Sequence, residues 1–158
     1  MNRVLALQQR LLKLPFGRWL FSQALARYAP YFTTIRPYVE ELRPNYHRVR
    51  MRKRRAVHNH LGTVHAIAMC NLCEFAGGIC MEASIPPHRR WIPVGMTVEY
   101  LHKAKTDLVA TCDLSNVNWT TTKEVQCDVP VTDTSGTVVM RALIRMKVSD
   151  RPGARGAP

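Results

Sequence analysis

The chain has 158 residues, of which 46% are apolar and 22% charged, as expected of one folded domain with a sizeable core. Its formal charge is +12, and residues 1 to 55 carry thirteen Lys and Arg against two Glu, so the excess lies in the N-terminal third. No apolar run approaches the length of about eighteen residues that a membrane span needs, so no membrane span is expected. Gln8, Arg10 and Lys13 interrupt the first apolar stretch, and this makes a secretion signal unlikely. Together with five cysteines in no framework spacing, these features predict a cytoplasmic protein with reduced, buried thiols.

The first 35 residues predict two short amphipathic helices separated by Pro15 and Gly17. Leucines recur at helical spacing in the first helix, and Trp19 and Leu25 mark the second, which should end near Pro30. A basic hairpin of this kind could contact an anionic membrane surface as a peripheral anchor. Packing of its apolar face on the domain's own sheet is the more common arrangement and the one that we favour.

From Tyr38 to Arg54 the pattern changes to period two, which predicts one strand with Val49 and Met51 on its dry side. Its other side is strongly basic, and the turn after it continues the cluster: Arg48, Arg50, Arg52, Lys53, Arg54 and Arg55. This surface either attracts polyanions or is a solvated edge guarded against aggregation. A nucleic-acid role is disfavoured, because no aromatic residues alternate with the cations to stack on bases.

The segment from His58 to Gly78 opens with a polar turn closed by Gly62 and then becomes almost wholly apolar. Such a run predicts a buried helix that starts near His65 and ends before Pro86. Glu74 lies in its middle, and a carboxyl in apolar surroundings has a raised pKa and is a candidate for chemistry.

Four strands with alternating dry and wet faces follow the helix, centred on residues 94–100, 108–115, 125–131 and 138–148. Residues 150–158 are rich in Pro, Gly and Arg and predict a disordered tail. The pattern over residues 36–149 therefore predicts an α+β hotdog fold, in which an antiparallel sheet of five to six strands wraps around one long central helix.

Within this layout, Asn59, Gly62 and His65, followed nine residues later by Glu74, resemble the signature of acyl-CoA thioesterases of the phenylacetate-degradation type. The stretch from Val94 to Lys105 is similar to the strand that follows in that family. As a whole, the chain resembles an uncharacterised bacterial branch of the thioesterase superfamily. Ala66-Ile67 and Pro93 depart from the family pattern, which has glycines after the histidine and a hydroxyl on the next strand.

The resemblance implies a homodimer, or a dimer of dimers, that hydrolyses acyl-CoA at the subunit interface without a cofactor. The N–H groups of His65 and Ala66 would form an oxyanion hole, and Asn59 and Gly62 would contact the thioester or the attacking water. Glu74 of the partner subunit would act as general base or nucleophile, because about 13 Å of helix separates positions 65 and 74. Arg50, Arg52, Lys53, Arg54 and Arg55 would receive the phosphates of CoA.

Two other chemistries find little support in the sequence. His58, His60 and His65 lack a further ligand at a spacing typical of zinc sites. Cys70 and Cys73 form C-x-x-C, but on a buried helix they are expected to be apolar packing residues. The alternative to an active thioesterase is a hotdog module that binds acyl-CoA or lipid without catalysis.

Overall fold

The computed structural model describes residues 2–152, so most of the expected C-terminal tail lies outside the described residues. The elements, in chain order, are α1 (Arg3–Leu11), α2 (Gly17–Tyr28), β1 (Tyr38–Arg43), β2 (Tyr46–Met51), α3 (Ala66–Ser84), β3 (Arg89–Tyr100), β4 (Leu108–Asp113), β5 (Glu124–Thr132) and β6 (Val138–Asp150). Single 3-10 turns at Pro30–Thr34 and Arg55–Val57 precede β1 and α3. Asp150, assigned from the sequence to the tail, instead pairs with Arg89 at the end of β6.

The six strands form one antiparallel sheet in the order β1-β2-β4-β5-β6-β3, which curls around α3. The inward-facing residues of β5 and β6 alternate along each strand and are buried against the helix, as the sequence predicts. Leu72, Phe75 and Met81 of α3 are fully buried at the centre of this core. The α+β hotdog architecture expected from the sequence is therefore confirmed.

The central helix begins where the sequence predicts, because His65 adopts the extended conformation of a capping residue and Ala66 is the first helical residue. It ends at Ser84, since Pro86 and Pro87 cannot continue it. Within the described chain, α3 is also the one helix long and apolar enough to cross a membrane, so the expectation that no segment reaches this length was wrong. Burial of 67% of that stretch inside the fold identifies it as a core helix.

The basic strand predicted for residues 38–54 is in fact a hairpin. β1 and β2 pair around Pro44 and Asn45, and Asn45 has a left-handed backbone with φ of 65°. Pro followed by Asn is a common turn pair, so the sequence contained this information. The predicted alternation of buried and exposed residues is confirmed within β2, where Val49 and Met51 are fully buried. The strand ends before Arg52, earlier than predicted.

The edge strand β3 differs from the sequence expectation of one dry face. Its inward residues Met96 and Tyr100 are 41% and 52% exposed, because β3 is the outermost strand on this side of the sheet and α3 contacts it at only a few places. β3 pairs with β6 on one side, and no strand within residues 2–152 pairs with its other side. The chain thus leaves an apolar surface beside a free strand edge.

The N-terminal helices pack on the domain, as favoured from the sequence. α2 buries Phe21, Ser22 and Leu25 against β1, and the Ser22 hydroxyl oxygen accepts a 2.9 Å hydrogen bond from the backbone N–H of Val39. Gln8 of α1 donates a 3.1 Å hydrogen bond to the carbonyl oxygen of Leu42. Every residue of α1 nevertheless keeps some exposure.

Candidate active site

The N-terminus of α3 is capped by the side chain of its preceding residue. His65 Nδ1 accepts a 3.1 Å hydrogen bond from the backbone N–H of Ile67. An accepting Nδ1 carries no proton, so the neutral ring carries its proton on Nε2. The His65 side chain is exposed and lines the pocket described below.

The remaining backbone donors of this helix end differ from those expected. The N–H of His65 donates a 2.8 Å hydrogen bond to the carbonyl oxygen of Val57, so it is not available to an oxyanion, and this part of the prediction was wrong. In the described chain the N–H groups of Ala66 and Ala68 have no hydrogen-bond partner. They lie at the positive end of the helix dipole, which favours a negative charge placed there.

Asn59 and Gly62 build the loop before the helix. Asn59 Oδ1 accepts hydrogen bonds of 3.0 and 3.1 Å from the backbone N–H groups of Leu61 and Thr63, and its Nδ2 donates 2.9 Å to the Thr63 hydroxyl. Gly62 has φ of 71°, a left-handed conformation that favours glycine, and has no neighbour within 4 Å of an added Cβ. The structure thus shows that both residues shape this loop, and the substrate contact inferred from the sequence stays a prediction.

Glu74 is exposed, and the expectation of a carboxyl in an apolar interior was wrong. Although the helix is apolar all round, the face that carries Glu74 points toward the free edge at β3. Next to it, the Cys70 thiol and the Tyr100 hydroxyl are 3.4 Å apart, and Gly78 faces the ring of Trp91. The Glu74 carboxylate makes no hydrogen bond or ion pair within residues 2–152, and Ile67, two turns earlier, is 56% exposed.

A pocket of about 210 Å³ lies beside His65, between the first turns of α3 and the 3-10 turn that ends at Thr34. Asn71, buried at 5% exposure, lines it. The Thr34 hydroxyl donates to the carbonyl oxygen of Tyr31 at 2.7 Å, so it must accept the 3.1 Å hydrogen bond from Asn71 Nδ2. Asn71 Oδ1 therefore remains an acceptor with no partner among the described residues.

Sequence analysis did not select Asn71 or Thr34 as site residues. Asn71 interrupts an apolar run three residues before Glu74, and this was the one sign of a role for its amide. Its contact with Thr34, 37 residues earlier, is formed only by the fold.

The basic residues predicted to bind CoA are not equivalent. Glu40 binds Arg48 at 2.9 Å and Arg50 at 3.1 Å, and Asp107 lies 3.5 Å from Arg50, so the charge of Arg50 is neutralised. Arg54 instead donates to the carbonyl oxygen of Thr34, at the pocket.

Arg54 is a partly buried cation without a carboxylate partner in the described part of the chain. Burial and the neighbouring positive charge of Arg36 lower the pKa of Arg54, and its Nε has no hydrogen-bond partner among the described residues. Arg36, which sequence analysis did not select, has a left-handed backbone with φ of 47°. Neither arginine forms an ion pair within the described part of the chain, so the repulsion between these two positive charges is not offset by a carboxylate.

The five cysteines are free and buried, as expected for reduced packing residues. Burial raises the pKa of the Cys73 thiol far above its ordinary value, which makes it a poor nucleophile. The hydrogen bond to Cys70 raises the pKa of Tyr100 to about 12. No cluster of three or more His, Cys, Asp or Glu side chains in residues 2–152 is placed to hold a metal ion.

Residues 17–148 match a family described as a domain of unknown function, DUF4442. The chain is 43% identical to a structural-genomics protein, genomics APC5556, over 94% of this chain and 99% of that one, with a TM-score of 0.84. A probable thioesterase of unknown function from Pseudomonas aeruginosa, PA5026, is 21% identical over 87% and 97% of the two chains, with a TM-score of 0.73.

Zebrafish thioesterase superfamily member 2 is 16% identical over 82% of this chain and 93% of that chain, with a TM-score of 0.69. None of the curated proteins matches the sequence. The sequence match and the shared architecture together show that the chain belongs to the DUF4442 family and has the hotdog fold of the thioesterase superfamily.

Proposed function

We propose that this protein is a thioester hydrolase that converts an acyl-CoA and water to a free acid and CoA. The observation that carries the proposal is the position of Glu74, an exposed carboxylate of the apolar helix α3 that has no partner among the described residues and lies on the side of α3 that faces β3. The other carboxylate of α3, Glu82, is engaged as the acceptor of a 3.0 Å hydrogen bond from Trp91 Nε1. Glu74 is therefore the carboxylate of the helix that remains available for proton transfer.

The proposed site is shared between two copies of the chain. About 12 Å of helix separates Glu74 from the N–H of Ala66, and about 9 Å separates it from that of Ala68, too far for these groups to meet at one carbonyl within one subunit. A second copy that extends the sheet along β3 would cover Met96 and Tyr100 and would bring Glu74 of one subunit toward the helix end of the other. A free strand edge flanked by exposed apolar side chains favours such pairing.

In the proposed reaction Glu74 removes a proton from a water molecule, whose oxygen attacks the thioester carbonyl carbon. The developing oxyanion accepts hydrogen bonds from the N–H groups of Ala66 and Ala68 at the positive helix end. The carbon–sulfur bond then breaks, and the thiolate of CoA leaves and takes up a proton. Direct attack by the Glu74 carboxylate, followed by hydrolysis of the resulting anhydride, would use the same groups.

The phosphates of CoA would bind at Arg36 and Arg54, with Arg52, Lys53 and Arg55 nearby in sequence. A phosphate bound by both guanidinium groups would relieve their mutual repulsion and supply a hydrogen-bond partner for Arg54 Nε. Arg50 is excluded from this role in the proposal, because Glu40 and Asp107 already neutralise it.

A second candidate is an acyl-CoA or lipid-binding module without catalysis. Ile67 favours it, because its exposed side chain lies beside the proposed thioester site and would crowd the approach of the thioester. Pro93 also favours it, since a proline on β3 offers neither a hydroxyl nor an N–H to position a water molecule.

Thiol release from short, long and aromatic acyl-CoA substrates separates the two candidates. Glu74→Gln should lower turnover by about two to four orders of magnitude, the usual contribution of a general base, with little effect on folding because the residue is exposed. Glu124→Gln, the matched change at an exposed carboxylate on the outer face of β5, should leave turnover unchanged. Bound acyl-CoA without turnover in the native protein would favour the binding module.

Mixed dimers test whether the site is shared. Ala66→Pro removes one proposed oxyanion donor, and proline fits the first position of a helix. Reassortment of inactive Glu74→Gln and Ala66→Pro chains would give half heterodimers with one intact site each, and so about a quarter of native activity. No recovery, although heterodimers form, would contradict a site built from two subunits.

A further inference from the structure

The turn between α1 and α2 exposes four large apolar side chains within eight residues. Leu12, Leu14, Phe16 and Trp19, here called the apolar tip, are 46%, 51%, 84% and 51% exposed. Phe21, in the next turn of the chain, is fully buried in the domain core. The tip therefore protrudes from a hairpin that is anchored by Phe21 and Leu25, which are buried against the domain.

Backbone hydrogen bonds and a close approach of the two helices fix the conformation of this turn. The Leu14 N–H donates 2.9 Å to the carbonyl oxygen of Leu11, and the Gly17 N–H donates 3.0 Å to that of Leu14. An added Cβ at Gly17 would lie 1.9 Å from the Leu11 carbonyl oxygen, so only glycine allows this approach of the two helices. Phe16 itself has φ of 57°, a conformation that is costly for a bulky residue.

A phenylalanine at this position gains nothing inside the fold. Glycine or asparagine would adopt the left-handed backbone at lower cost, and the Phe16 ring is almost entirely in solvent. Large apolar groups exposed together, and held at a conformational cost, indicate a surface that is covered by a partner.

The charge around the tip identifies the chemistry of that partner. Arg10, Lys13 and Arg18 flank the apolar residues, and residues 1–39 contain no Asp or Glu. Arg18 donates to the main-chain carbonyl oxygen of Glu40, which satisfies its geometry but does not neutralise its charge. The tip is thus convex, apolar at its end and cationic at its sides, a combination suited to insertion between anionic lipid headgroups.

We propose that the apolar tip inserts into the interface of an anionic bilayer, with Phe16, Leu14 and Trp19 among the acyl chains and the cations at the headgroups. The proposal goes beyond hydrolysis and does not depend on it. It makes the protein a peripheral membrane protein whose site works at a surface into which amphiphilic acyl thioesters partition.

Sedimentation with lipid vesicles tests the proposal on the full-length protein. It should bind vesicles of phosphatidylcholine mixed with phosphatidylserine and bind pure phosphatidylcholine weakly, and added salt should reduce binding. Phe16→Asn, which keeps a residue that tolerates a left-handed backbone, should weaken binding about tenfold or more, and Leu14→Gln should weaken it further. Tyr28→Asn, which changes an aromatic residue of similar exposure at the other end of α2, should bind as the native protein does.

Trp19 provides a signature that simple charge attraction would not give. Its fluorescence should shift to the blue on binding, and Trp19→Phe should abolish the shift. Equal binding of Phe16→Asn and Tyr28→Asn, or no preference for phosphatidylserine, would overturn the proposal. A change in oligomeric mass caused by Phe16→Asn without lipid would also overturn it, since the tip would then be an interface between copies of the chain.

Discussion

His65 Nδ1 lies within hydrogen-bond distance, 3.1 Å, of the backbone nitrogen of Ile67, so the imidazole is the N-cap of α3. We predict that His65→Ala lowers the free energy of unfolding by about 1 kcal/mol, the usual value of a lost cap. His65→Asn should restore most of this stability, because asparagine is a favoured capping residue. Urea denaturation followed by circular dichroism measures both effects. Equal destabilisation by the two variants would contradict a capping role.

The backbone N–H of Ala66, at the same helix end, is a proposed oxyanion donor. Ala66→Pro should lower kcat by about two to three orders of magnitude, as expected for a lost oxyanion donor. The backbone of His65, with φ of −66° and ψ of 139°, already has the extended conformation required before proline, so the melting temperature should change little. Ala66→Gly retains the N–H and should retain kcat. Full activity of the proline variant would exclude this donor from the mechanism.

Arg36 and Arg54 should control affinity for the nucleotide part of the substrate. Because a charge-assisted hydrogen bond to phosphate is lost, Arg54→Ala should raise KM for acyl-CoA about tenfold with kcat unchanged, and Arg36→Ala should act in the same direction. The matched variant Arg50→Ala should leave KM unchanged, since Glu40 and Asp107 neutralise that residue. An acyl thioester of N-acetylcysteamine, which has no phosphate, should show no effect of Arg54→Ala. An equal rise in KM with that substrate would mean that Arg54 only shapes the pocket.

The burial of the His47 side chain leads us to predict that the protein loses stability in mild acid. It is fully buried with Nδ1 3.0 Å from the carbonyl oxygen of Ala76, and burial lowers its pKa from 6.5 to about 4. Below pH 6.5 the unfolded chain gains a proton that the folded chain does not take up until about pH 4. Stability is therefore lost as the pH falls through this range, by up to about 3 kcal/mol.

Denaturation midpoints measured between pH 7 and pH 4 test the contribution of His47. His47→Gln should be less stable at neutral pH, because a buried hydrogen bond is altered, but its stability should vary less with pH in this range. Asp113 and Asp133 have pKa values below the ordinary 3.8. Their protonation therefore affects stability at a lower pH and does not account for the loss between pH 6.5 and pH 4. An unchanged slope in the variant would assign the acid sensitivity to other groups.

The framework of the protein can be predicted from local sequence patterns. Alternation over β5 and β6 and the apolar run of α3 are local patterns set by the periods of strand and helix, so they predict which residues the core takes. His65 and Pro86 set the helix ends for equally local reasons, since one residue caps and the other cannot continue a helix. The Pro44-Asn45 turn was also local, and it was missed because the alternation on either side of it was read as a single strand.

The exposure of Glu74 and the neutralisation of Arg50 depend on how distant segments pack in the fold. A helix that is apolar all round has no preferred face, so the extent of the sheet determined that Glu74 lies outside the core. The contact of Asn71 with Thr34, the neutralisation of Arg50 by Asp107, and the use of the His65 N–H by Val57 join segments that the sequence does not relate. Periodicity records which way a side chain points along one element, whereas these contacts depend on how separate elements pack.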